Sequence, residues 1–381
     1  MKSRDALPWL RDTLLRMFPH ATRPGLRAIG TPDRTSPVLL TGNYTLTVRR
    51  MIDVLAPRSV WLLVANSRGI NVWCAATGGH LTDHDVIAAI RSSAVSDRVD
   101  HRTIVLPQLA ATGVERRRIA ETTGWDVRWG PARMEDLDAY LERGTRSARK
   151  ERWMRFPVWE RLEMASIWAV PLAFVAGAGV ALLRGVSTGL VVATVEVATV
   201  AAMFLLVDRI AVVGPRRWMT YGAFAVLATL AACALSAAAR LPLDGVAVSL
   251  YAGVCTASML LLSIDLAGTT PWYPGSVNSR GESFRIDLVE QACAGTAECV
   301  QVCPREVLEM LGSARKVAIA RPDDCVRCAA CIVQCPHDAL RFRFDGGRVV
   351  DAPTVRRTRV NMLGRRSIEL DTRPRSQETA P

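Results

Sequence analysis

"SVWLLVANSRGINVWCAATGGHLTDHDVIAAI", Ser59 to Ile90, holds a complete strand, turn and helix in one stretch. "SVWLLVAN" is a strongly apolar run of strand length. "DHDVIAAIRSSAV" is amphipathic at the helical period, and Thr82 with Asp85 gives it a capping-box-like start. Between them "NVWCAATGGHL" reads as a loop or short helical cap that carries a lone cysteine, Cys74. Outward from this unit the same alternation continues. "VLLT", "TIVLPQ" and "WDVRWGP" read as strands, and "GVERRRIAETTG" and "MEDLDAYLERG" as helices. Strand and helix in alternation predict an α/β domain with a mostly parallel sheet. Such sheets take ligands outside the carboxyl ends of their strands, the side on which Cys74 falls.

Apolar residues make up 50% of the 381-residue chain, an ordinary globular share, but their distribution is uneven. From Met164 to Ile264 charge almost disappears. Four spans near Met164–Leu183, Gly189–Val207, Trp218–Ala239 and Val246–Ile264 each approach the ~20 residues that cross a bilayer as a helix. Much of the net charge of +12 sits in "LERGTRSARKERWMRFPVWER", just ahead of the first span. A basic collar there is a topological signal, and it argues against nucleic acid as a partner. "MKSRDALPWLRDTLLRMFPH" is broken by charge and proline and does not read as a secretory leader. Arg209, Arg216 and Arg217 mark the middle connecting loop as cytoplasmic. Four crossings then put both soluble domains on the cytoplasmic face of a cell inner membrane. Glu196, midway along the second span, reads equally as part of an ion path or as an interhelical hydrogen-bonding group.

Seven of the ten cysteines lie between Cys293 and Cys335, which points to metal rather than to a disulfide framework. "CVRCAACIVQCP" is the bacterial ferredoxin run, with Cys325, Cys328, Cys331 and Cys335 followed by Pro336. "CAGTAECVQVCP" supplies Cys293, Cys299 and Cys303, with Thr296 where a cysteine is expected. In this pattern the last cysteine of each run ligates the other cluster. Cys303, Cys325, Cys328 and Cys331 therefore form a complete set for one [4Fe–4S] cluster. Cys293, Cys299 and Cys335 leave a second site one ligand short, open to a [3Fe–4S] cluster, a [4Fe–4S] cluster with a non-cysteine ligand, or none. Iron–sulfur potentials reach down to about −700 mV, so the complete cluster suits one-electron reduction.

"GINVWCAATGG", with "SPVLLTGNYTLTVRR" upstream and "VLPQLAATGV" and "WGPARMEDLDAYL" downstream, resembles the corrinoid-binding domain of the mercury-methylating HgcA family, itself similar to the corrinoid iron–sulfur protein of the acetyl-CoA pathway. The carboxyl-terminal ferredoxin resembles its partner HgcB, so the chain looks like a fusion of the two. The resemblance implies a cobalamin-type corrinoid with Cys74 as lower axial cobalt ligand on a cap formed by Asn71, Val72 and Trp73. It also places Thr41, Asn43 and Gln108 among the cofactor-binding residues. A soft thiolate opposite the methyl group favours its release to an electrophile such as Hg(II). The fused ferredoxin would return the cobalt to Co(I), drawing on a low-potential electron donor, and a methyl-donor protein or methyl-folate-type enzyme would supply the methyl group. The chain departs from the family at Thr77-Gly78, which stand where Gly-Lys is usual, in having four spans rather than five, and in lacking a cysteine pair after Pro336. These departures keep two other readings open: a corrinoid methyl carrier for a non-mercury acceptor, and a membrane electron-transfer subunit in which Cys74 is structural.

The expected organisation is an amino-terminal extension (1–34), a corrinoid-binding α/β domain (35–145), a basic juxtamembrane linker (146–162), four transmembrane helices (163–265), a linker (266–281), an α+β ferredoxin-like iron–sulfur domain (282–345) and a basic tail expected to be disordered (346–381).

Overall fold

The computed structural model describes residues 19–144, 147–266, 271–312, 315–361 and 364–367. Parts of the predicted extension, linkers and tail lie outside these residues. Five strands, β1 Gly25–Ile29, β2 Val38–Gly42, β3 Val60–Ala65, β4 Thr103–Leu106 and β5 Asp126–Trp129, form a sheet in the order β1-β3-β2-β4-β5. β2 to β5 are parallel. Leu40, Leu63 and Ile104 face one core with Val86 and Ile90, while Leu39, Leu62 and Val64 face the other with Val48, Met51 and Tyr140. Both faces are covered, which is why the strands read as unbroken apolar runs. The covering helices are α1 Thr45–Leu55, α2 Val72–Gly78, α3 Asp83–Ser92, α4 Arg116–Thr123 and α5 Leu137–Glu142. The Thr82–Asp85 capping box is present at the start of α3. β3 and β4 flank β2 on opposite sides, which opens a crevice at its carboxyl end.

One strand begins ahead of the expected domain start. β1 lies before residue 35 and pairs antiparallel with β3, from Gly25 opposite Val64 to Ile29 opposite Val60. Ile29 buries its side chain in the core, so this part of the extension closes the sheet edge.

After a short turn of helix, α6 Arg149–Arg152, come α7 Val158–Arg184, α8 Val186–Leu205, α9 Arg217–Ala238 and α10 Gly245–Asp265. All four of α7 to α10 are long and apolar enough to cross a membrane. α7 starts before the expected Met164 because the charges ahead of that residue are neutralised, Glu160 by Arg133 and Glu163 by Arg50. α7 and α8 pack through small residues: a Cβ on Gly189 would stand 2.4 Å from the Gly177 carbonyl oxygen. Glu196 on α8 accepts a 2.9 Å hydrogen bond from Ser258 Oγ on α10, the interhelical role among the two expected for it. The α8–α9 turn lies at the same end of the bundle as both soluble modules, since Tyr273 donates to the Ile210 carbonyl at 3.0 Å.

The last module contains β6 Phe284–Leu288, α11 Glu298–Gln301, β7 Leu308–Leu311, β8 Lys316–Ile319, α12 Ala330–Val333, β9 Leu340–Phe344, β10 Val349–Val350, α13 Ala352–Arg357, β11 Arg359–Val360 and β12 Arg366–Ser367. Its two halves repeat one backbone course. Left-handed φ recurs at Gly295 and Arg327, at Ala297 and Ala329, and at Glu306 and Asp338. The predicted disordered tail instead folds as far as the described residues reach, because Val350, Ala352 and Val355 bury against the ferredoxin core and Asp351 caps α13.

Candidate functional site

A cleft of about 1250 Å³, its open mouth included, lies at the carboxyl edge of the first sheet. Its walls are the ends of β2 (Thr41), β4 (Pro107) and β5 (Gly130), the start of α2 (Asn71, Val72, Trp73) and the start of α7 (Glu160, Glu163, Met164). The first of the long apolar helices is thus one wall, held by the Arg133–Glu160 pair at 2.5 Å and by the Arg50–Glu163 pair. The lining is mostly apolar, as a large planar ligand requires. Thr41 is fully buried on the wall, and its hydroxyl has no hydrogen-bond partner. Gln108, between the wall residues Pro107 and Leu109, donates from Nε2 to the Arg152 carbonyl at 3.1 Å and leaves its buried Oε1 without a partner. Orphaned acceptors beside an apolar cleft fit a macrocycle whose rim carries amide N–H groups, because such a rim would satisfy them.

The cap is a true helical turn. Asn71 Oδ1 accepts from Cys74 N at 2.9 Å, and Gly79, at φ 76°, ends α2 in the left-handed region. Cys74 is half-buried and packs against the first module's core, in the turn that follows the lining residues. Asn43 has a different, local role. Its Oδ1 accepts from Ser67 N and Gly69 N, both at 2.9 Å, and its Nδ2 donates to the Thr22 carbonyl, so it pins the loop that leads into the cap.

Two smaller cavities sort the clustered cysteines. One is lined by Cys303, Cys325, Cys328 and Cys331, the other by Cys293, Cys299 and Cys335 together with Thr296 and His337. Thr296 stands in the first half where Cys328 stands in the second. All ten cysteines are outside disulfides. Among the described residues no three His, Cys, Asp or Glu side chains converge on a single metal ion. Burial pushes the thiols up, Cys325 to about 11 and Cys328 and Cys299 to about 12, so metal loading must release protons. Backbone N–H groups already point at sulfur, from Val307 to Cys303 and from Ala339 to Cys335, both at 3.3 Å.

The ferredoxin module is docked on the first module, a feature that strand and helix patterning does not carry. Val302, Val326, Cys328 and Ala330 belong to the same buried core as Trp73 and Leu106. Buried Gln334 donates to the Ala111 and Val114 carbonyls at 2.8 and 2.6 Å and accepts from Arg116 N at 3.2 Å. The basic collar is drawn into this interface: Arg149 and Arg152 both pair with the buried Glu306, three residues after Cys303.

Residues 292–339 match the 4Fe-4S dicluster domain. Residues 13–141 match the family described as CO dehydrogenase/acetyl-CoA synthase delta subunit. The similar curated proteins include the acetyl-CoA decarbonylase/synthase complex subunit gamma of Methanopyrus kandleri, 36% identical over 127 residues, which are 33% of this chain and 27% of that protein. The subunit of the same name from Archaeoglobus fulgidus is 35% identical over an equal span, and that from Methanocaldococcus jannaschii is 38% identical over 109 residues, 28% of this chain and 22% of that one. The chain spans about a quarter of the length of these relatives. It therefore joins a module related to that gamma subunit, four apolar helices and a ferredoxin-like iron–sulfur module.

Several residues of the site leave no mark in the local sequence pattern. Arg50 and Arg133 on the cleft wall, with their α7 partners, are far apart in the chain and meet only through the fold. The signal that could have found Glu160 and Glu163 is their position: two carboxylates at the head of a long apolar helix require partners.

Proposed function

We propose that the chain is a membrane-bound, corrinoid-dependent methyltransferase that carries its own reductase module. The observation that supports this best is the cleft at the sheet's carboxyl edge, with the orphaned Thr41 and Gln108 acceptors and the Asn71-capped turn that carries Cys74. The corrinoid, when bound, supplies the cobalt centre that takes and releases a methyl group. In this reading Cys74 would supply a thiolate to the cobalt, Thr41 and Gln108 would accept from the rim amides, and Val72, Trp73 and Met164 would exclude water. Cys303, Cys325, Cys328 and Cys331 hold the working cluster, while Cys293, Cys299 and Cys335 form the second site. Both soluble modules lie on the cytoplasmic side, where a methyl-donor protein and a low-potential electron donor reach them.

The proposed acceptor is a soft electrophile such as Hg(II). A second reading, a methyl carrier for another acceptor, draws on the names of the relatives, which belong to an acetyl-CoA complex, and on the lack of cysteine after Pro336. The test is anaerobic reconstitution with corrinoid, comparing wild type with Cys74→Ala. The variant should keep its iron and show an altered cobalt spectrum. Cobalt absent from the wild type, or a spectrum unchanged in the variant, would refute the proposal.

A further inference from the structure

The β11–β12 hairpin lies beyond the ferredoxin motif and touches both functional regions. Through Arg359 it abuts the end of the cap helix, where a Cβ on Gly79 would collide with that side chain. Through Arg366 it reaches the cysteine run. Arg366 is only 7% exposed. Its guanidinium donates to Thr358 Oγ1 at 2.7 Å and to the Cys328 carbonyl at 3.2 Å, and it lies 5.5 Å from the centre of the Phe342 ring. Its Nε has no partner, and among the described residues no carboxylate forms an ion pair with it. Arg305, on the wall of the cavity lined by Cys303, Cys325, Cys328 and Cys331, differs in having Asp324 at 3.7 Å.

A buried cation with only neutral acceptors is expensive, because desolvation is not repaid by an opposite charge. The anion that this arrangement lacks is the one that Cys303, Cys325, Cys328 and Cys331 would create on loading. Four thiolates around a [4Fe–4S]2+ core carry a net charge of 2−, and uptake of one electron makes it 3−.

We infer that Arg366 is the built-in counter-charge of the complete cluster, a positioning residue whose cation favours the reduced over the oxidised state. The inference rests on the iron–sulfur reading of that cysteine set. The carboxyl-terminal hairpin thereby acquires an electrostatic role, fixing a positive charge at the cluster while it covers the cap. Arg366 touches no reacting atom and acts through the potential alone.

The experiment uses the full chain in detergent, iron-loaded under anaerobic conditions and titrated with dithionite while the reduced cluster is followed by paramagnetic resonance. Arg366→Gln should lower the midpoint, so that at a fixed potential the reduced-to-oxidised ratio falls about tenfold, 59 mV for a one-electron couple. Arg366→Lys should restore most of the wild-type value. If Arg366→Gln does not load iron but Arg366→Lys does, at near wild-type potential, the charge is needed for assembly and the inference stands. Equal midpoints in wild type and Arg366→Gln would overturn it, as would failure of both variants to load, which would mark a packing role. A wild type that binds no cluster at all would instead refute the iron–sulfur reading.

Discussion

Replacing Gln334 by alanine tests whether the ferredoxin module is locked onto the first module or merely lies beside it. Gln334 is 4% exposed, and the residues whose carbonyls it serves, Ala111 and Val114, are fully buried. Alanine would strip both carbonyls of this donor and the Arg116 N–H of its acceptor. A buried polar group left unpaired costs about 1–3 kcal/mol, and the Arg116 N–H, only part-buried, can be repaired by water. The two carbonyls together then cost docking about 2–6 kcal/mol. That is at least a thirtyfold loss of protection, at roughly tenfold per 1.4 kcal/mol. Hydrogen exchange followed by mass spectrometry over 108–118 and 328–338 measures it, since local opening reports local stability. Gln334→Glu sharpens the test. The carboxylate can still accept from Arg116 N, but its second oxygen faces the Ala111 and Val114 carbonyls, so the loss should match or exceed that of alanine. Exchange within about threefold of wild type in both variants would refute the lock.

Two further outcomes are expected. Cys328→Ser should remove the complete cluster and lower iron content while corrinoid binding persists, whereas Thr296→Cys should raise iron toward two full clusters; a wild type already holding two cysteine-ligated [4Fe–4S] clusters would overturn this ligand assignment. The metal-free protein should lose stability as pH rises from about 9 toward 12, because the folded state holds Cys299, Cys325 and Cys328 protonated above the ordinary thiol value of 9.0. Each such thiol contributes a slope of about 1.4 kcal/mol per pH unit until the pH reaches its own folded value, about 11 for Cys325 and about 12 for Cys299 and Cys328, and iron loading should remove the part due to Cys325 and Cys328.

The parts that are legible in the sequence are those written in local pattern. The buried parallel strands, the Thr82–Asp85 box, the four spans and the split of the cysteines into four and three all follow from spacing and periodicity, and the structure has two cavities with that division. Helix α1 also has a local signal, since Val48, Met51 and Leu55 recur at helical spacing and bury one face of it. Pairing at long range is not legible in this way. β1 is one turn of alternation too short to stand out, and its partner strand lies more than thirty residues on. The grip of Gln334 on Ala111 joins residues 223 apart, and the collar arginines find Glu306 only after the four long apolar helices have intervened. The basic composition of the tail suggests disorder, but one of its arginines is a core residue.

The shared core has a consequence for how the protein can be taken apart. Val277, Val302, Val326 and Ala330 belong to the same buried core as Trp73, Leu106 and Ile119, so each soluble module has one face that is closed only by the other. A cut near residue 145 would leave an apolar floor exposed on each half, and each fragment would tend to aggregate rather than report the behaviour of its module. Dissection of this chain is better done by single substitutions than by domains.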